Sequence, residues 1–207
     1  MQRWTKRGLL VGVTGVVLAA TVAAGSAVAA KMDRARFNMV VSQGAAQCLP
    51  HARAEVKIQS LGPVEVMRVD VEGLPANTNF DFFVIQIPIA PFGVSWYQGD
   101  IETNRKGEGS QRFIGRFNIE TFAVSPDVAA PPQVHTNAPF PDATVGVAFR
   151  PIHTFHLGLW FNSPADAVKA GCPGATTPFN GDHTAGIQVL NTANFPANEG
   201  PLHQVQP

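Results

Sequence analysis

From Arg53 onward, apolar and polar residues alternate one by one: Ala54, Val56 and Ile58 against Arg53, Glu55, Lys57 and Gln59. Successive side chains of an extended strand point to opposite faces. The pattern therefore describes a strand with one face in a core and the other in water. Leu61-Gly62-Pro63 closes the run as a turn, and a second strand follows over Val64 to Glu72. Its phase slips: Val64 and Val66 are even, whereas Met67, Val69 and Val71 are odd. One extra residue would restore a single inward face, which predicts a β-bulge near Met67-Arg68.

The same grammar runs through most of the chain. Phe80 to Ile87 is apolar at both parities, as a central strand covered on both faces requires, and Pro88 and Pro91 end it. Val94 to Gln98 and Ile101 to Thr103 read as two short strands. Asn104 to Gly109 reads as a hairpin loop, with a return strand over Gln111 to Val124. Residues 125–142 hold five prolines and little period, so they read as a loop. Strands resume at Thr144 to Phe149, Ile152 to Phe161 and Ala185 to Leu190, with a polar surface tail from Asn191. Ser163-Pro164-Ala165-Asp166 is a helix start, because Ser accepts from free amides, Pro suits the first turn and Asp complements the dipole. Gly171 is its stop. Lys31 to Cys48 reads either as a short helix or as an irregular entry followed by an edge strand.

Seven or eight short strands with one two-turn helix predict an all-β fold. The expected form is an antiparallel β-sandwich, Ig-like or jelly-roll-like, or a barrel-like variant, as one domain over 31–207 with a helix near 164–170. Composition agrees: charged residues are only 14 %, and 19 Gly and 17 Pro supply turns in place of long exposed helices.

The N-terminus carries an address. Arg3, Lys6 and Arg7 precede an uncharged stretch from Gly8 that ends in Ala27-Val28-Ala29-Ala30. Residues 1–30 read as a secretory signal with a cut after Ala29 or Ala30. An uncleaved anchor is the alternative, since 23 residues without charge are long enough to cross a bilayer. Membrane contact is expected only through that segment. Positive and negative residues number 15 each, and three of the positives lie in this segment, leaving 12 against 15 in the remainder. A weakly acidic domain with no basic run lacks the footprint of a nucleic-acid binder. Cys48 and Cys172 are the two cysteines, and in an oxidising compartment they are expected to form a disulfide.

The strings GLPANTNFDFFVIQIP, APFGVSWYQGDIETNRKGEGSQRF, HLGLWFNSPADAVKAGC and TPFNGDHTAGIQVLNT together resemble a family of uncharacterised secreted proteins of high-GC Gram-positive bacteria. The likeness covers most of the chain after about residue 50 and implies export without implying an activity. A looser likeness to Ig-like and fibronectin-type modules rests on a strand, a Leu-Pro-x-Asn-Thr loop and an aromatic strand. It supports a sandwich and is silent on ligand.

Chemistry-bearing residues are few. His153 and His156 are three apart, so a strand puts them on opposite faces; His135 and Asp182-His183 would have to converge with one of them to hold a metal. Ser95 and Ser110 lack a nucleophile-elbow context. Asp100 and Glu102 share one strand face as an isolated carboxylate pair. No phosphate-cradling loop or dinucleotide fingerprint occurs, so no catalytic, cofactor or metal residue is assigned. Trp96, Tyr97 and Trp160 are the candidates for stacking on a sugar or partner, set against a role in the core. The expected function is an exported, non-enzymatic structural or interaction module of the envelope or extracellular space, with no partner identified. The alternatives are a carbohydrate or small-ligand binder and, behind it, a metal-dependent hydrolase.

Overall fold

Side chains that alternate inward set two layers facing one another. A computed structural model describes residues 33–117, 154–180, 183–197 and 199–205. Its strands are β1 (Arg34–Val41), β2 (Arg53–Ser60), β3 (Glu65–Glu72), β4 (Asn79–Ile85), β5 (Ser95–Glu102), β6 (Gly109–Gly115), β7 (His156–Phe161), β8 (Thr177–Asn180), β9 (His183–Ala185) and β10 (Gln188–Asn191). One helix, α1 (Pro164–Lys169), follows β7, and a 3-10 turn spans Pro201–Gln204. The residues 1–30, the Pro-rich 125–142, the expected strand at 144–149, His135, His153 and Asp182 lie outside the described residues.

Eight strands run in the order β5-β4-β7-β10-β1-β2-β3-β6, every neighbour antiparallel. β1 makes the corner. Arg34 to Met39 pair with β2, whereas only Val40 and Val41 pair with β10. The result is two four-stranded layers, β1-β2-β3-β6 and β5-β4-β7-β10, hinged along one edge. At the other edge the turn at 103–108 carries the chain from β5, which pairs with β4, to β6, which pairs with β3. Phe113 of β6 stacks on Phe82 of β4 with ring centroids 5.0 Å apart. The fold is therefore an all-β sandwich that curls almost into a barrel.

The inner faces meet in one core. Ala54, Val56, Ile58, Met67 and Val69 from the first layer face Phe80, Phe82, Leu157, Leu159 and Phe161 from the second. Each buried Val, Leu, Ile, Met or Phe among them contributes about 1.5–3 kcal/mol of transfer free energy. β4 is apolar at both parities for the reason the sequence suggests. Phe80, Phe82 and Val84 enter this core, while Phe83 and Ile85 form a second cluster with Trp160 on the outer face.

Several expectations need correction. β3 holds unbroken register with β2 from Arg53↔Glu72 to Ser60↔Glu65, so there is no bulge at Met67-Arg68. The inward residue at the start of β3 is Glu65, not a valine; it is buried, accepts from the Phe117 N–H and lies 3.5 Å from Arg116 Nε. A bulge does occur in β5, between Phe82↔Gly99 and Phe83↔Tyr97, with Gln98 as the extra residue. It joins into one strand what the sequence breaks in two. Gly99 has φ +143° there, and a Cβ would stand 3.2 Å from the Phe113 ring. β1 is an interior strand rather than an edge. The last strand is divided at Gly186-Ile187 into β9 and β10. The return strand β6 pairs with β3, not with β5. The tail folds back: Thr192, Leu202 and Val205 are buried, and the Leu202 N–H donates to the Phe155 carbonyl at 3.2 Å.

The helix forms where its signals stand. Ser163 Oγ accepts from the Asp166 N–H at 3.2 Å, and Gly171 ends the element at φ +76°. The next residue is Cys172, bonded to Cys48 with Cα atoms 5.3 Å apart. The disulfide thus ties the turns after β1 to the end of α1.

Candidate functional site

The strand pair β4–β5 carries the polar and aromatic groups that the core does not absorb. Asp81 of β4 sits directly opposite Asp100 of β5 and beside Trp160 of β7. Asp81 is buried, an unusual place for a carboxylate. Asp100 accepts from two donors: Asn79 Nδ2 at 3.1 Å and the Tyr97 hydroxyl. Burial, the Asp100 hydrogen bond and the negative charges of Asp100 and Asp81 together hold the Tyr97 phenol well above its ordinary value of 10.0. Its ring packs on Phe83 with centroids 5.4 Å apart. The arrangement is a carboxylate acceptor with an amide donor on one side and an aromatic rim on the other.

The three aromatic candidates separate. Trp160 is fully buried, its indole meeting Phe83 and Phe92 edge-on at 5.4 and 5.0 Å. It is therefore a core residue and has no surface to offer a ligand. Gly158, two residues earlier on the same face, makes room for it, since a Cβ at that position would run into the indole. Trp96 and Tyr97 are exposed, at 41 % and 47 %. Being consecutive on β5, they project to opposite sides of the strand and form no shared stacking plane.

Asp100 and Glu102 share one face of β5, as the sequence reads, with Glu102 exposed and across from Asn79; the carboxylate directly opposite Asp100 is Asp81. Asp81 was legible as a lone charge inside the apolar run Phe80 to Ile87, and Asn79 became relevant only through register.

His156 is a structural histidine. It is buried, with Nε2 3.2 Å from the Ala197 carbonyl and Nδ1 2.8 Å from Thr192 Oγ1. A carbonyl only accepts, so Nε2 carries the proton and Thr192 donates to Nδ1. Thr192 Oγ1 in turn accepts from the Leu157 N–H at 3.1 Å. Burial holds the imidazole below its usual value. Among the described residues no group of three His, Cys, Asp or Glu side chains is placed to hold a metal, and no helix is long and apolar enough to cross a membrane.

The geometry defines an antiparallel β-sandwich closed by one disulfide. No protein-family model matches the chain, and no curated protein matches it.

Proposed function

We propose that this chain is an exported, non-enzymatic β-sandwich that works as an interaction module of the cell envelope or extracellular space. The observation that carries the reading is the exposure of Trp96 and Tyr97. They are the only aromatic side chains among the exposed large hydrophobic residues described. Tyr and Trp supply a large share of contact energy at protein surfaces, and a folded chain exposing both on one strand gains by covering them. The Cys48–Cys172 bond suits an oxidising compartment, in keeping with the signal-like residues 1–30.

The test is binding of the full chain to delipidated cell envelopes, wild type against Trp96→Ala/Tyr97→Ala. The expected result is a loss of at least about tenfold in affinity, given the usual cost of truncating such anchors. Equal binding by a folded variant would refute the reading. Carbohydrate is the second reading, favoured by the Asn79–Asp100–Tyr97 array, which offers hydroxyl-binding groups beside an exposed ring. A panel of polysaccharides with the same variants separates a sugar from a protein partner.

A further inference from the structure

The outer face of the first layer holds a feature that no linear stretch of the chain displays. Arg36 stands opposite Lys57, Lys57 opposite Arg68, and Arg68 opposite Arg112, so one cross-strand row over β1, β2, β3 and β6 is entirely cationic. Adjacent strands are about 4.8 Å apart, and like charges placed directly opposite destabilise a sheet. The fold offsets part of that cost. Glu55 pairs with Arg36 and Lys57, and Asp70 lies 2.8 Å from Arg68 and 3.4 Å from Lys57. Arg112 and, one row up, Arg34 take part in no ion pair among the described residues. With Arg53 and Glu72, which pair on the same face, six cations stand against three carboxylates and leave this face positive in a chain of no net charge.

Arg34 begins the neighbouring row, which continues through Gln59 and Val66 to Ile114. Ile114 is 69 % exposed, and Leu61, in the adjoining turn, is 53 % exposed. Arg34, Arg36, Lys57, Leu61, Val66, Arg68 and Arg112 line one shallow depression. A soluble anion would satisfy the cations and leave these aliphatics in water. A bilayer with anionic headgroups satisfies both, since bases meet phosphates while the aliphatic tips enter the headgroup–acyl boundary.

We propose that the β1-β2-β3-β6 face docks on an anionic lipid surface, with the Arg36–Lys57–Arg68–Arg112 row on the headgroups and Leu61 and Ile114 at the boundary. The opposite layer, with Trp96 and Tyr97, then faces away from the bilayer. This docking stands independently of what those aromatics bind.

Co-sedimentation of the full chain with vesicles tests it. Phosphatidylcholine vesicles set the baseline, including any contribution of residues 8–30, and vesicles containing phosphatidylglycerol report the face. The expected result is tighter binding to the anionic vesicles that collapses in high salt. Arg68→Gln/Arg112→Gln should weaken it about 25-fold, at about fivefold for each basic residue lost at such a surface. If that variant does not retain the wild-type melt, Ile114→Asn at an exposed position carries the test, with weaker anionic-vesicle binding expected. Equal binding to both vesicle types would overturn the proposal, as would wild-type affinity in the folded variants. So would binding to soluble polyphosphate as tight as to vesicles and indifferent to Ile114→Asn, which would assign the row to an anionic polymer.

Discussion

Tyr97 is the chain's one tyrosine, so absorbance of ionised phenol reports on it alone. Burial and two neighbouring carboxylates disfavour the phenolate. The folded protein should therefore show no tyrosinate at about pH 10, where a free phenol is half ionised. Asp100→Asn removes a charge and should bring the titration down toward that value; an unchanged curve would mean that Asp100 does not act on the ring. His156 gives the second residue-scale prediction. Its pKa is lowered in the folded state, so its contribution to stability is complete above about 6.5, the unfolded value. As pH falls below that, the unfolded chain takes up a proton that the folded ring resists, and stability declines until the folded pKa is passed. Urea midpoints from about pH 8 to about pH 5 should fall in the wild type and flatten in His156→Gln. Sequence reasoning leaves Trp96, Tyr97 and Trp160 alike between a stacking surface and the core, because a tryptophan's burial depends on what covers its strand. Trp96 and Trp160 look alike in their strings, but one lies on an outer strand of its layer and the other on β7, under Phe83 and Phe92.

At the scale of elements, alternation was enough for β2 and most of β3, because each has one wet face and one dry face. It misled at Glu65, since a buried carboxylate held by Arg116 and a backbone amide looks like a surface residue in the sequence. It failed for β1, whose Arg34, Arg36 and Asn38 hide how central the strand is. The helix was fully legible, because its cap and stop are local chemistry that needs no partner. β7 offers a direct test of packing. Gly158→Ala pushes a methyl into the Trp160 indole and should destabilise the fold by about 1–3 kcal/mol, the usual cost of overpacking. Chemical denaturation measures it, and a neutral result would mean that the outer cluster is loosely packed.

For the whole molecule, the disulfide expectation holds, and its effect follows from topology. Cys48 and Cys172 are 124 residues apart. In the chain-entropy model, closing so long a loop contributes up to about 5 kcal/mol, a large fraction of a domain's net stability. Cys48→Ala/Cys172→Ala should therefore shift the denaturant midpoint strongly downward with little change in strand content by circular dichroism. A midpoint equal to the parent's would show that the bond is dispensable. The class of fold could be read from strand number, turn spacing and composition. The cationic row and the Asp81–Asp100 apposition could not, because both are products of register between strands far apart in the chain. The central claim is that the molecule works by contact through β5. Oxidative footprinting of the full chain, free and bound to delipidated envelopes, tests it most directly. The account predicts that Trp96 and Tyr97 react when free and are protected when bound, while buried Trp160 stays silent in both states. Trp96 and Tyr97 oxidised equally in the bound and free chain would contradict it.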